Sequence, residues 1–238
     1  MAVIESEKKK AKKVAAFFDV DNTLVRGSTP ILFGKVAFRG GTIKRRDIWR
    51  FAFEQMMFIR RGEKTATLSD IKDRALSITK GYPLSALEPL VQKVYESEIK
   101  PRLWPQTVAA LKEHLAQGHE VWLITAAPVE LAEVIAKDLG ATGALGTIVG
   151  RKDGVLTGEL VGAPLHGKAK RKAAKKLSAE RGISLTKSWA YSDSVHDLPL
   201  LTLVKHAVAV NPDKALEKYA EAANWQIAKF KKRHLKTR

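Results

Sequence analysis

The run Val14-Ala15-Ala16-Phe17-Phe18 is apolar at every position and then breaks directly into Asp19-Val20-Asp21-Asn22-Thr23. A short run without alternation, closed by turn residues, fits a strand buried on both faces, and such strands belong to parallel sheets covered by helices on each side. That narrows the chain to an α/β arrangement before anything else is read. In open α/β sheets the ligand sites lie outside the carboxyl ends of the strands. Residues two apart on an extended segment point to the same side, so Asp19 and Asp21 share a face. Two carboxylates held close favour a bound cation, and an oxygen-only, doubly negative set suits Mg²⁺. A carboxylate beside such an ion and a phosphate is placed to attack phosphorus and form an aspartyl phosphate. Taken alone, the same residues also fit a polar turn after a buried strand.

Later segments weigh on that choice. Val121-Trp122-Leu123-Ile124 is a second apolar, β-rich run, and it ends in the hydroxyl of Thr125 followed by Ala126 and Ala127. A hydroxyl and exposed backbone N–H groups at a strand end can hold phosphate oxygens. Lys168 follows the turn-rich stretch Val161-Gly162-Ala163-Pro164-Leu165-His166-Gly167 and opens a helical pattern. Its ammonium can neutralise both a phosphate and an aspartate. Ser188-Trp189-Ala190-Tyr191-Ser192 then ends in Asp193, with Asp197 four residues on, adding two carboxylates at a third strand end.

This ordered series, Asp-x-Asp-x-Thr, strand-Thr, Lys and Ser-Asp-Ser-x-x-Asp, resembles the haloacid dehalogenase-like superfamily of phosphohydrolases and phosphotransferases. The likeness runs from about Val14 to Trp225 and is closest to the phosphoserine-phosphatase-like branch. Thr147 to Glu159 looks like the Gly-rich hairpin of that branch, and Val208-Ala209-Val210-Asn211-Pro212 like its last core strand. The resemblance implies an α/β fold: a doubly wound, mainly parallel, Rossmann-like sheet with an inserted helical cap. It implies that Asp19 is the nucleophile and Asp21 the general acid and then base. Thr125, Ala126 and Lys168 would bind the phosphoryl group, with Lys168 also catalytic. Mg²⁺ would be held by Asp19, Asp21, Asp193 and Asp197. Ser28, Arg60 and His196 are the substrate-binding candidates.

Two positions depart from the branch. An acidic residue that meets the substrate ammonium follows the nucleophile by nine positions there, whereas this chain has Ser28. That argues against phosphoserine and leaves histidinol phosphate or another small phosphate ester open. His196 replaces the usual Asn before the last aspartate and keeps hydrogen-bonding capacity. The expected function is a Mg²⁺-dependent phosphomonoesterase. The alternatives are a phosphotransferase using the same intermediate, or a basic polyanion-binding protein with a residual fold.

The order of patterns suggests domain limits. Residues 1–13 form a basic tail, 14–26 and 102–228 the α/β core, 27–101 the helical cap, and 229–238 a second basic tail. Helices are expected from Thr42 to Arg61 and from Leu68 to Lys80, and Ser85 and Glu88 have capping-box spacing for another. A lobe placed between the first two catalytic strands would exclude water and choose the leaving group. At 238 residues the chain buries about 70–75% of its unfolded surface, enough for one such core. Without cysteine, neither a disulfide framework nor a Cys metal site can form. The lysine-rich start is not a secretory signal, and no apolar stretch reaches the roughly 18 residues of a membrane span. A cytoplasmic protein is expected. Forty-two Lys and Arg against twenty-five Asp and Glu give a net charge of +17. Weak, salt-sensitive association with polyanions through the tails fits that excess, as does attraction of phosphorylated substrates.

Overall fold

The computed structural model describes residues 12–41 and 79–235. Its centre is a six-stranded, wholly parallel sheet in the order β3-β2-β1-β6-β7-β8. The strands are β1 (Ala15–Phe18), β2 (Glu120–Pro128), β3 (Gly143–Thr147), β6 (Trp189–Ser192), β7 (His206–Val210) and β8 (Gln226–Ala228). β4 (Val149–Lys152) and β5 (Val155–Leu160) form a separate antiparallel hairpin, as the Gly-rich tract implied. The helices are α1 (Thr29–Arg39), α2 (Leu84–Val94), α3 (Pro105–Ala116), α4 (Val129–Leu139), α5 (Lys168–Arg181), α6 (Leu198–Leu201) and α7 (Lys214–Ala222). Among the described residues no helix is long and apolar enough to cross a membrane.

β1 is buried at every position because both its faces are covered. Ala16 and Phe18 join one apolar cluster with Leu111, Leu131 and Tyr191, while Ala15 and Phe17 join the other with Ala174, Leu200 and Leu216. The chain builds outward from β1 through β2 to β3, then returns to β6 on the opposite side. Strand order therefore reverses at β1 and β6, and the carboxyl ends on either side of such a reversal make a crevice. Phe18 is level with Leu123 on one neighbour and Tyr191 on the other, so the segments beginning at Asp19, Thr125 and Asp193 emerge in one row.

Of the expected lobe at 27–101, α1 and α2 lie among the described residues. Their Val36, Ala37, Leu90 and Val91 belong to the same cluster as Phe18. The helices expected from 42 to 61 and from 68 to 80 lie outside the described residues, apart from Thr79 and Lys80, which are in a turn.

Two local expectations need correction. The Ser85–Glu88 capping box does not form: Pro83 is the N-cap residue of α2, with no side-chain cap. Instead the Leu84 N–H donates to the Gly154 carbonyl of the hairpin at 2.9 Å, so a tertiary contact satisfies the first free donor of the helix. Nor is the segment after Ala228 wholly a solvated tail. Phe230 packs on Trp104 with ring centroids 5.7 Å apart, its N–H donates to Asn211 Oδ1, and a helical turn covers Lys232–Leu235. An aromatic residue inside a basic run gives that stretch something to bury.

Candidate active site

Asp19 continues β1 by one residue, and its N–H is still held by the Tyr191 carbonyl at 2.9 Å. The chain then turns back on itself: the Val20 carbonyl accepts from both Leu24 and Val25, and Val20 and Leu24 enter the core. This leaves Asp19 and Asp21 on the crevice side, as their spacing predicts. Asp19 is buried, with Oδ2 accepting from Thr23 Oγ1 at 3.1 Å. The threonine of the Asp-x-Asp-x-Thr series thus orients the first carboxylate.

The lysine in the crevice is Lys170. Its Nζ lies 2.6 Å from both Asp19 Oδ1 and Asp197 Oδ2, and Ser192 Oγ donates to the same Asp197 oxygen at 2.8 Å. Lys168, the residue expected here, is exposed on the first turn of α5, two residues and about 200° around the helix from Lys170. The buried positions of α5 are Lys170, Ala174 and Ser178, spaced by four, although the sequence offers Ala169, Ala173 and Leu177 as the apolar face. Both sets have helical spacing, and Ala169, Ala173 and Leu177 are the more apolar, so apolar pattern alone points to the wrong face. The usable signal was chemical: a lysine in register with Ala174 and Ser178 is the one that a buried face carries inward.

Asp21 occupies a different environment. Its Oδ1 accepts from the Thr29 N–H at 2.8 Å and from Thr29 Oγ1 at 2.6 Å. Thr29 is buried and is the first residue of α1, so the start of that helix holds this carboxylate. Sequence reading passed over Thr29 in favour of its neighbour Ser28, which stands at the N-cap position without a side-chain cap. Thr125 is buried within β2, three residues before its end, with Oγ1 accepting from the Ala127 N–H at 3.1 Å, and the Ala126 carbonyl accepts from Thr147. The β2–β3 ladder slips between Ile124 and Pro128, which takes Thr125 to Ala127 out of regular pairing. His196 is exposed beside His166, their ring centroids 5.1 Å apart. Arg60 lies outside the described residues.

The electrostatics follow from burial. Desolvation raises the Asp19 carboxyl above its ordinary value against the pull of Lys170. Desolvation likewise raises Asp21, with the Thr29 bonds opposing it, and pushes Asp193 up to about 6. Burial works against the Lys170 charge, yet Asp19 and Asp197 together hold it above the ordinary lysine value. Four carboxylates thus meet one ammonium, and three of them are strained as anions. A divalent cation would relieve that excess. Among the described residues no three Asp, Glu, His or Cys side chains converge on one point. Lys170 engages one oxygen each of Asp19 and Asp197. The oxygen donors of the crevice are Asp19, Asp193, Asp197 and the backbone carbonyls of the loop, a hard set that fits Mg²⁺.

Comparison with known proteins places the chain in a family. Residues 16–202 match the model of the haloacid dehalogenase-like hydrolases. A Mycobacterium tuberculosis protein named phosphoserine phosphatase SerB1 is 41% identical over 218 residues, spanning 91% of this chain and 71% of the relative. The Neisseria meningitidis histidinol-phosphatase is 28% identical, over 92% of this chain and all of that protein. A Bordetella pertussis protein of unknown function superposes with a TM-score of 0.79 at 28% identity, covering 91% and 98% of the two chains. Phosphoserine phosphatase in a phospho-aspartyl intermediate analogue form shares the fold, with a TM-score of 0.62 at 22% identity. The chain belongs to the haloacid dehalogenase-like hydrolase family. Within it, this is a phosphatase of the phosphoserine-phosphatase-like branch.

Proposed function

We propose that the protein is a Mg²⁺-dependent phosphomonoesterase that hydrolyses a small phosphorylated metabolite through an aspartyl phosphate on Asp19. The observation that carries this reading is the division between the two carboxylates. Asp19 is paired with Lys170, which favours its anionic, nucleophilic form, whereas Asp21 sits apart with one oxygen taken by Thr29 and the other left to carry a proton. In the first half-reaction Asp19 attacks phosphorus, the ester P–O bond breaks, and Asp21 gives its proton to the leaving alkoxide. In the second, Asp21 takes a proton from water, the water oxygen attacks phosphorus, and the acyl phosphate bond to Asp19 breaks to free inorganic phosphate. Lys170 holds Asp19 in place and, with Thr125 and the N–H groups beyond it, stabilises the equatorial phosphoryl oxygens where negative charge collects. Mg²⁺ held there would supply further neutralisation of the phosphoryl charge. Lys168 has no direct part in this scheme; Asp197 positions Lys170.

The relatives' names point to phosphoserine or histidinol phosphate as substrate. Ser28, at the position where the branch meets an ammonium group, favours a phosphate ester other than phosphoserine. Asp19→Asn removes the nucleophile while keeping its shape. It is expected to lower hydrolysis of an aryl phosphate by at least about 10³-fold with the melting temperature little changed, comparable to the loss of a covalent catalyst elsewhere. Retained Mg²⁺-dependent turnover in that variant would overturn the mechanism. A screen of phosphoserine, histidinol phosphate and sugar phosphates then assigns the leaving group.

A further inference from the structure

The loop that carries both catalytic aspartates has an outer side as well as an inner one. Asn22, immediately after Asp21, has φ of 58°, a left-handed conformation that Asn tolerates better than other non-glycine residues. Inward, its side chain bonds to Asp193 and accepts from the Gly27 N–H at 3.0 Å. Outward, its backbone carbonyl accepts from Asn211 Nδ2 at 3.4 Å. The orientation of the Asn211 amide is fixed independently. The Phe230 N–H can only donate, and it lies 2.6 Å from the other amide atom, which must therefore be the oxygen.

Asn211 is thus a bridge with the catalytic loop at one end and the C-terminal segment at the other. The segment grips it twice, because the Asn211 N–H also donates to the Ala228 carbonyl at 2.7 Å. A second line reaches the same loop: Phe230 packs on Trp104, and the Trp104 N–H donates to the Leu24 carbonyl at 2.8 Å. Two residues further along, Asp213 ties down the other metal-side loop, since its N–H donates to the Asp193 carbonyl and its carboxylate accepts from the Val195 N–H, both at 2.8 Å. Asn22, Asp193, Asn211, Trp104 and Phe230 line one open pocket of about 340 Å³, to which the C-terminal segment contributes Phe230 and Lys232.

We propose that Asn211 and the segment 229–235 form a strap that positions the Asp19–Asn22 loop from outside, so that metal binding and turnover depend on residues beyond the reacting set. The strap converts the lysine-rich end from a loose tail into part of the catalytic support. It rests on the phosphatase reading for its activity readout, and Asn211 is a positioning residue that touches neither phosphate nor metal.

The test compares the full chain with Asn211→Ala, Phe230→Ala, a chain ending at Lys229, and Asn211→Ala in that shortened chain. Mg²⁺ binding is measured by calorimetry and hydrolysis of p-nitrophenyl phosphate by steady-state kinetics, each well below the variant's own melting temperature. Loss of one hydrogen bond to the loop corresponds to about a fivefold effect. Asn211→Ala and the shortened chain should each weaken Mg²⁺ binding and lower kcat by about that factor, with KM within twofold, and the combination should lose no more than either alone. The strap is overturned if Mg²⁺ affinity and kcat stay within twofold of the parent in both single changes, or if the combined loss is the product of the two. A parent that binds no Mg²⁺ overturns the metal assignment and the metal half of the strap with it. Activity surviving Asp19→Asn sinks the proposed Asp19 mechanism and leaves the variant comparison to stand on Mg²⁺ binding.

Discussion

Lys168 and Lys170 share a helix and differ in what surrounds them, which makes the pair a sharp test at the scale of single residues. Lys170→Ala leaves Asp19 and Asp197 as two buried carboxylates without their shared cation. Removing one partner of a buried charge set costs about 3–5 kcal/mol, and losing a fixed cation at the phosphoryl oxygens lowers kcat by about 10²–10³-fold. Lys168→Ala, on an exposed first turn, is expected to leave kcat within twofold. Denaturant titration and steady-state kinetics on the two variants decide it, and equal losses would mean that the helix face has been misassigned. Asp19 and Asp21, two residues apart, are as unlike as the two lysines: one is held by an ammonium and the other by a hydroxyl and an amide from α1.

At the scale of elements, close approach around β2 and β3 sets the shape of the phosphate end of the site. Gly146 lies in β3, where a Cβ would stand 2.6 Å from the Val129 Cα and 3.0 Å from the Ala127 carbonyl oxygen. Both neighbours are backbone, and they join Ala127 at the end of β2 to the first turn of α4. Gly146→Ala must therefore push strand and helix apart, an overpacking strain of about 1–3 kcal/mol. It should also raise KM for phosphate esters by disturbing Thr125 to Ala127. Equilibrium unfolding and kinetics on the one variant check both effects, and unchanged stability would mean that β3 and α4 are more loosely packed than drawn. The hairpin is similarly tied to its neighbours: Gly81, Leu84 and Leu156 exchange backbone hydrogen bonds between the segment before α2 and the β4–β5 hairpin. The start of α2 is therefore fixed by a partner some seventy residues away in sequence.

Across the whole molecule, the crevice occupies the carboxyl end of the sheet, and a group of rings occupies the amino end. His114 Nε2 lies 2.8 Å from the Tyr191 hydroxyl, its Nδ1 lies 2.9 Å from His119 Nδ1, and Trp189 stacks between His119 and His206. Burial, and then the neighbouring His119, lower the His114 pKa from 6.5 to about 4. Between those values the unfolded chain takes up a proton that the folded chain refuses. The neutral imidazole therefore contributes its full stability above pH 6.5 and loses it as pH falls toward 4. Asp19, Asp21 and Asp193, raised by burial, pull in the opposite sense on acidification. The quantity to measure is consequently the stability difference between the parent and His114→Gln. That difference should shrink by about 2–3 kcal/mol between pH 7 and pH 4.5. A difference independent of pH would show that His114 takes up its proton as readily in the folded protein as in the unfolded chain.

The apolar run before Asp19 was enough to require a strand covered on both faces. The order of strand ends after it required an α/β sheet with its site at the carboxyl edge. Those features are local, set by composition and by the two-residue period of an extended chain. The identity of the lysine was not local. Lys168 and Lys170 have the same side chain and nearly the same neighbours in sequence, and only the rotation of α5 against the sheet places Lys170 between Asp19 and Asp197. Thr29 was invisible for a related reason, because its partner Asp21 is eight residues away across a turn whose path sequence pattern does not specify. The strap through Asn211 and Phe230 joins segments about 190 and 20 residues apart. Sequence thus determined which chemical groups gather at the strand ends, while packing decided which of several identical groups faces inward, since burial belongs to surfaces that meet only when the chain has folded.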